Sequence, residues 1–191
     1  NGAPTAAVNF TSPTTGGTIV YNWTNNTTSI GLAASGSGNI ASFTATNATS
    51  APVTGTVTVT PAYTNGGVTC NGTPITFTIT VNPTATLNVV TNQVVCNNSP
   101  TAPVNFTSPT TGGTIVYNWA NNTTSIGLAA GGTGNITSFT ATNITNAPIT
   151  ATITVTPTYT NGGVSCIGTP TNFTITVNPT PVVNPVLSQT V

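Results

Sequence analysis

The chain has 191 residues and contains no aspartate, glutamate, lysine, arginine or histidine, so its formal net charge is zero. General acid–base catalysis, activation of a serine or threonine nucleophile and binding of hard cations all need such side chains, and phosphate backbones are bound through lysine and arginine. We therefore expect no enzymatic activity, no metal or cofactor site and no nucleic-acid partner.

Alternating apolar and polar residues predict β-strands along each half of the chain. The first strand contains Val8 and Phe10, and the same alternation predicts strands at 18–23, 42–46, 56–60 and 75–81. The turns between them are predicted at glycine-rich stretches, 15–17, 35–38 and 65–67. In the second half, the last two strands recur at 152–156 and 173–177. No stretch has helical periodicity.

The two halves of the chain are copies of one unit. Residues 8–23 recur unchanged at 104–119, and an offset of 96 aligns 8–84 with 104–180 almost throughout. A solenoid repeat has about 20–50 residues, so this longer period corresponds to one complete small domain. Short strands with frequent turns in such a unit indicate an immunoglobulin-like sandwich. The predicted fold is therefore all-β, with two tandem immunoglobulin-like β-sandwich domains: repeat 1 at 1–84, a linker at 85–95, repeat 2 at 96–180, and the start of the next linker at 181–191.

Aromatic residues on the predicted strands are the candidate core. A sandwich usually buries a tryptophan on an early strand. We therefore assign six residues to the structural core: Trp23, Tyr21, Phe77, Trp119, Tyr117 and Phe173. The alternative is a sugar-stacking platform formed by the tryptophans and tyrosines. Outward threonine rows also suggest ice binding, but sandwich sheets are twisted rather than flat.

Asparagine-x-threonine triplets are frequent in this chain. They begin, among other positions, at Asn22, Asn25, Asn47, Asn135 and Asn172. The chain contains 48 threonines and 25 asparagines, so a motif this short arises by chance. The triplets alone therefore do not predict glycosylation.

The three cysteines suggest a disulfide framework. Cys70 and Cys166 are 96 residues apart, and Cys96 opens the second repeat. In an immunoglobulin-like sandwich, the loop with Cys166 lies at the pole where the first strand begins, close to Cys96. We therefore predict one disulfide per repeat, Cys96 with Cys166 and Cys70 with a residue preceding Asn1, which would imply an oxidising compartment. The alternative is three free, buried thiols.

Four segments together have a distinctive sequence: Tyr21-Asn22-Trp23, TVTVTP at 56–61, FTITVNP at 77–83 and VVCNNSPTAP at 94–103. They resemble the polycystic-kidney-disease-like (PKD-like) immunoglobulin-like repeats of giant surface proteins of Bacteroidota, and the resemblance covers essentially the whole chain. It implies a secreted cell-surface filament or adhesin stalk, exported by type IX secretion and used in attachment or gliding motility. Typical members have an acidic turn after the tryptophan strand. Here 24–28 reads TNNTT, so the resemblance implies no carboxylate-dependent calcium site.

The function predicted from these observations is a structural repeat segment that projects an adhesive tip from an extracellular cell surface. Its expected partners are neighbouring repeats and, in a filament, other copies, whereas regions outside this segment would bind cell-surface or glycan targets. No run of 18 apolar residues occurs, so we expect no membrane insertion. Two alternatives stay open. One is a homopolymeric fibre joined through exposed edge strands, which no charge would repel; the other is a carbohydrate-binding module.

Overall fold

The computed structural model describes residues 1–190 and has an all-β architecture. The chain divides into two compact units, and the main boundary falls between Thr84 and Ala85. We call the unit built mainly on Asn1–Thr84 unit 1, and the unit that begins at Ala85 unit 2. Within the described residues the only helices are two 3-10 turns, Thr28–Ile30 and Thr124–Ile126.

The sheet of unit 1 has five antiparallel strands: β1 (Thr18–Asn25), β2 (Ser35–Ser37), β3 (Val53–Asn65), β4 (Val68–Asn71) and β5 (Ile75–Val81). Their order is β2-β1-β3-β4, and β5 pairs with the first half of β3. Gly66 and Gly67 join β3 to β4 with φ of 57° and 78°. Two positive φ angles in a two-residue loop match the turn that suits the twist of a hairpin, as the glycine-rich sequence predicts.

The sheet of unit 2 repeats this arrangement and adds one strand. Its strands are β6 (Gln93–Cys96), β7 (Thr114–Asn121), β8 (Gly131–Thr133), β9 (Ile149–Asn161), β10 (Val164–Ile167) and β11 (Thr171–Asn178). The order is β6-β11-β9-β7-β8, with β10 paired to β9. Strand β6 pairs with β11 in parallel, Gln93 beside Ile175 and Cys96 beside Asn178. This additional edge strand is the main difference between the two sheets.

The segments around Val8 and at 42–46 form an irregular ribbon instead of the regular strands predicted. In unit 1 the ribbon has isolated antiparallel bridges, Pro4 with Thr44 and Val8 with Ile40. Pro4 has no N–H to donate to a ladder, and the N–H of Phe10 donates to Oδ1 of Asn39 at 2.9 Å. These two departures interrupt the ladder. Unit 2 has the same bridges at Pro100–Thr140 and Val104–Ile136.

The stretch 35–38 was predicted as a turn, and the structure corrects this prediction. Ser35–Ser37 is strand β2, and Gly36 pairs with Trp23 of β1. Gly36 allows the indole of Trp23 to pack closely against the strand, because a Cβ at this position would clash with the indole. Only Gly38 in this stretch has the positive φ of a turn residue, at 76°.

Each unit has its own hydrophobic core between the sheet and the ribbon. The buried residues of unit 1 are Trp23, Ile30, Leu32, Ile40, Val57, Val59 and Val81. The corresponding cluster in unit 2 includes Val104, Phe106, Ile126, Ile136, Ile153, Val155, Phe173, Ile175 and Val177. The inward positions alternate along β9 and β11, as the period of two predicts.

The predicted linker at 85–95 belongs to unit 2 and is not a free connector. Ala85 is fully buried, and Leu87, Val90 and Val95 pack against the core of unit 2. Residues 93–95 are part of β6. The segment is held because its apolar side chains cover the core and its last residues pair with β11.

Candidate interaction surface

The six aromatic residues assigned to the core lie in or against the hydrophobic clusters. Trp23 and Phe173 are buried, whereas Trp119, Tyr21, Tyr117 and Phe77 are partly buried and pack against the clusters. In both units a phenylalanine of the ribbon contacts the tyrosine, with ring centroids 5.5 Å apart for Phe10–Tyr21 and 5.6 Å for Phe106–Tyr117. Such a packed arrangement leaves no exposed tryptophan–tyrosine platform in residues 1–190.

The cysteines are free thiols in the structure, and it does not bring Cys96 and Cys166 together. Cys96 ends β6 beside Asn178, where the neighbouring strand β9 begins. Cys166 lies in β10, which follows the turn at the opposite end of β9. The 13 residues of β9 extend roughly 40 Å at ~3.3 Å per residue, whereas a disulfide needs Cα atoms within ~7 Å. The strand order therefore does not support the predicted Cys96–Cys166 bond.

Cys70 is exposed on β4 beside Tyr63 of β3. The predicted partner of Cys70 precedes Asn1 and lies outside the described residues. Residues 1–190 contain no cluster of cysteines that could hold a metal ion.

Two of the five triplets singled out in the sequence, those at Asn25 and Asn47, have a structural role that sequence reasoning missed. The buried side chain of Asn47 donates from Nδ2 to the carbonyls of Ala51 and Val81, both at 2.8 Å. Its Oδ1 accepts from the N–H and the hydroxyl of Thr49, also at 2.8 Å. The triplet thus closes a loop onto the end of β5. The equivalent bonds recur at Asn143 in unit 2.

Asn25 is buried in the same manner, and its Nδ2 donates to the carbonyls of Thr27 and Leu32. The other three triplets singled out in the sequence begin at exposed asparagines, Asn22, Asn135 and Asn172. Burial of a fully hydrogen-bonded amide explains why asparagine occupies the first position of some triplets.

The most distinctive surface of the chain is the outer edge of the last strand in each sheet. In unit 2 this edge is covered by residues 86–96, which we call the covering segment. Its apolar residues Leu87, Val90 and Val95 pack against the core, and β6 at its end pairs with β11. Val89 and Val94, each next to a packed valine, are 95% and 67% exposed, so the segment has a buried side and an exposed side.

Polar contacts fix the position of the covering segment. The N–H of Asn88 donates to the carbonyl of Thr107, and its Nδ2 donates to the Thr107 hydroxyl, both at 2.9 Å. Gln93 bonds the backbone of Ala102 twice, through Nε2 and Oε1, each at 3.0 Å. The N–H of Thr174 on β11 donates to Oδ1 of Asn92 at 2.8 Å. Three side-chain amides therefore specify where the segment lies.

The equivalent edge of unit 1 is open within the described residues. Strand β5 pairs with β3 alone, and its other edge has no strand partner. Beside it lies a groove of about 370 Å³, lined by the ribbon residues 9–13 and by Tyr21, Val59, Pro61 and Ile75. In unit 2 the counterparts Thr107 and Ser108 of this ribbon bond Asn88 and Thr86. The groove of unit 1 therefore corresponds to the place that residues 86–88 occupy in unit 2.

Side-chain exposure reflects this difference between the units. Phe106, Phe173 and Ile175 of unit 2 are at most 6% exposed. Their counterparts in unit 1, Phe10, Phe77 and Ile79, are only partly buried. Ile75 at the start of β5 is 62% exposed. Unit 1 thus presents an apolar surface that the covering segment hides in unit 2.

A second exposed apolar surface lies near the end of the described chain. Val182, Val183, Val186 and Leu187 are 80–95% exposed. At the repeat offset of 96, residues 182–190 are the counterparts of 86–94 in the covering segment. The sequence predicts a linker here, and the structure has no strand in residues 182–190.

The surface has hydrogen-bonding groups and apolar side chains but no formal side-chain charge. Burial raises the pKa of the Tyr117 phenol above its usual value, so this group is neutral under physiological conditions. None of the helical segments in residues 1–190 has the length and apolar character needed to span a membrane. Comparison with known proteins finds no family model that matches the chain and no curated protein that is similar to it.

Proposed function

We propose that the chain is a structural repeat segment of an extracellular surface filament or adhesin stalk. The observation that carries the proposal is the near-exact repetition of one compact β-unit in a chain without a charged side chain. Repeated units extend a chain and add length in fixed steps. The proposed role is therefore to hold an adhesive tip away from the cell surface, for attachment or gliding motility.

The proposal includes the finer assignment that each unit is an immunoglobulin-like sandwich of the PKD-like type found in Bacteroidota surface proteins. Its support is the sequence resemblance, together with the sheet and ribbon that enclose each core. Export by type IX secretion and an extracellular location follow from the same resemblance. Neighbouring repeats are the direct partners in this proposal, and glycan or cell-surface targets are bound by other parts of the protein.

The experiment that tests the stalk is immunogold electron microscopy of intact cells that produce the protein, with an antibody raised against residues 1–190. The proposal predicts gold particles outside the outer membrane, at distances that increase when extra copies of the repeat are inserted. A strain that lacks the repeats is the control for antibody specificity. Labelling that requires permeabilised cells would contradict the proposal.

A homopolymeric fibre is the second candidate function, and the uncharged edge strands of the sheets, such as β2 and β8, favour it. An unpaired edge strand offers a row of backbone hydrogen-bonding groups to another chain. Natural proteins often protect such edges with charged residues, and this chain has none. Electron microscopy of the purified assembly distinguishes the two, because a stalk gives single beaded chains and a fibre gives multi-chain order.

A further inference from the structure

We propose that the pairing of β6 with β11 is a mechanical clamp, which keeps unit 2 folded when tension acts along the chain. The inference deepens the proposed function and rests on it for its biological meaning, because a stalk between a cell and an attached surface carries tension. The clamp itself is a property of the fold of unit 2. Its strength can therefore be measured whether or not the chain is part of a stalk.

The direction of the two strands determines how tension reaches their hydrogen bonds. The chain enters the sheet of unit 2 through β6 and leaves it through β11, and these two strands are parallel and directly paired. Tension along the chain pulls β6 back towards Ala85 and pulls β11 forward towards Pro179. Because the strands are parallel, the two pulls are opposite along a common axis. The strands can therefore part only by sliding past each other.

Sliding puts the hydrogen bonds of the ladder under tension together. Bonds between parallel strands are evenly spaced, so the four register pairs, from Gln93–Ile175 to Cys96–Asn178, share the force. If the strands were instead pulled apart from one end, each pair would come under tension only after its neighbour had parted. Forced unfolding is governed by the unfolding rate. A ladder that must break as a whole therefore lengthens the lifetime of the folded unit under tension.

Side-chain amides extend the clamp beyond the ladder. The N–H of Thr174 on β11 donates to Oδ1 of Asn92 at 2.8 Å, one residue before β6 begins. This bond continues the register of the ladder, so sliding stretches it with the backbone bonds. Further back along the covering segment, Asn88 donates twice to Thr107, from its N–H and from Nδ2, at 2.9 Å each. The covering segment is thus held at several points along the line of pull.

Apolar packing opposes the same movement. Leu87, Val90 and Val95 of the covering segment pack against the core of unit 2, to which Ile175 and Val177 of β11 also belong. A slip of one residue would turn the inward side chains of a strand outward, since the side-chain period of a strand is two. A slipped register would therefore expose apolar side chains. The clamp accordingly has no stable intermediate position, and it either holds or releases.

The test is single-molecule force spectroscopy of the full chain, which measures the lifetime of unit 2 at constant force in two pulling directions. For the first, handles are attached at Thr86→Cys and Thr180→Cys, both at exposed positions, with the three native cysteines replaced by serine. This direction makes β6 and β11 slide. For the second, the handles are the exposed native Cys96 and Thr180→Cys, which peels the ladder from one end. The lifetime should be at least about tenfold longer in the first direction, because peeling breaks one pair at a time.

A set of substitutions measured in the first direction tests the contribution of Asn92. Asn92→Ala removes the acceptor of the Thr174 N–H, and the loss of this hydrogen bond should shorten the lifetime about tenfold. Thr91→Ala, at the exposed neighbouring residue, is the matched control and should leave the lifetime unchanged. Ile126→Val truncates a fully buried side chain outside the clamp and lowers equilibrium stability. It should change the lifetime little, since contacts that are intact in the transition state do not affect the unfolding rate.

The outcomes separate a clamp from general stability of the fold. Equal lifetimes in the two pulling directions would overturn the proposal, since the same hydrogen bonds are broken in both. It would also be overturned if Ile126→Val shortened the lifetime as much as Asn92→Ala. Either result would leave the stalk proposal standing, because a repeat can add length without a clamp. Conversely, immunogold labelling confined to permeabilised cells would contradict the stalk and leave the measured clamp unaffected.

Discussion

Trp23 lies across Gly36 on the neighbouring strand, and the indole occupies the space where a side chain at residue 36 would be. The two residues are directly paired in the ladder between β1 and β2. The relationship recurs in unit 2, where a Cβ on Gly132 would lie 2.5 Å from Cζ2 of Trp119. Neither indole N–H has a hydrogen-bond partner in residues 1–190. The tryptophans are therefore held by packing, and a glycine opposite each one makes that packing possible.

The substitution Gly36→Ala tests this contact. Overpacking a filled site costs about 1–3 kcal/mol, so unit 1 should lose that much free energy of unfolding. Chemical denaturation followed by fluorescence in a Trp119→Phe background reports on Trp23 alone, because the chain has two tryptophans. Ser37→Ala, at an exposed position on the same strand, should change the free energy of unfolding by less than about 0.5 kcal/mol. Equal effects of the two substitutions would refute the contact.

The buried side-chain amide of Asn143 is expected to contribute substantially to the free energy of unfolding of unit 2. Its Nδ2 donates to the carbonyls of Ala147 and Val177, both at 2.8 Å. Asn143→Asp keeps the shape but removes these donors, and Asn143→Ala removes the acceptor as well. Leaving buried groups unpaired costs about 1–3 kcal/mol each, so both variants should destabilise unit 2 by at least about 2 kcal/mol.

Denaturation in a Trp23→Phe background measures this loss through Trp119. The exposed neighbour Asn146 is the matched control, and Asn146→Ala should leave the free energy of unfolding nearly unchanged. If Asn143→Asp were as stable as the parent at neutral pH, the role assigned to the amide would be wrong.

The covering segment gives a third prediction, which compares neighbouring residues. Leu87 packs on the core of unit 2, whereas Val89 is 95% exposed. Leu87 is only partly buried, so Leu87→Asp should destabilise unit 2 by about 1–2 kcal/mol, less than the ~1.5–3 kcal/mol of a fully buried aliphatic side chain. Val89→Asp should cost less than about 0.5 kcal/mol. The same Trp119 fluorescence measures both, and a similar cost for the two would mean that residues 85–95 are a linker outside the core of unit 2, as the sequence predicts.

Comparison of these residues shows how far the sequence could predict the structure. The strands at 56–60 and 75–81 alternate regularly and were predicted within β3 and β5, because a period of two follows directly from the pleat. The turn at Gly66–Gly67 was predicted because it depends on local backbone geometry. By contrast, Gly36 was assigned to a turn, since the sequence does not reveal that Trp23 lies against it. The conformation at Gly36 depends on long-range packing against Trp23, which the local sequence does not show.

The candidate surface was harder to predict than the fold. The stretch 85–95 has proline before it and few residues in regular alternation, so it was interpreted as a linker. Its role depends on Leu87 and Val90 meeting a core that is formed by distant residues. The cysteines illustrate the same limit, because the pairing of Cys96 with Cys166 depended on an assumed sandwich pole. The strand order places these two residues at opposite ends of β9.

The absence of acidic, basic and histidine side chains predicts an unusual pH profile. The free energy of unfolding should be constant from about pH 5 to pH 7, because no side chain titrates there. Burial raises the pKa of Tyr117 above 10.0, so the folded state retains this proton where the unfolded state releases it. Stability is therefore retained below the unfolded pKa near 10 and lost as the pH rises through the folded pKa.

Urea denaturation at a series of pH values, compared between the parent and Tyr117→Phe, measures this profile. The variant should lose less stability than the parent above about pH 10. A slope between pH 5 and pH 7 would contradict the prediction, as would an identical alkaline loss in both proteins.

The most direct test of the central structural claim, that the covering segment is part of the sheet of unit 2, is a cysteine cross-link in the observed register. Val94→Cys and Thr176→Cys are introduced together in a chain whose three native cysteines are replaced by serine. Residues 94 and 176 are directly paired, within the ~7 Å that a disulfide needs. The control pairs Val94→Cys with Asn172→Cys, four residues away on the same face of β11, or about 13 Å along the strand. We predict an intramolecular disulfide for the first pair and free thiols for the control, measured by thiol titration and mass spectrometry. Equal yields for both pairs, or a first pair whose thiols remain free under oxidation, would contradict the account.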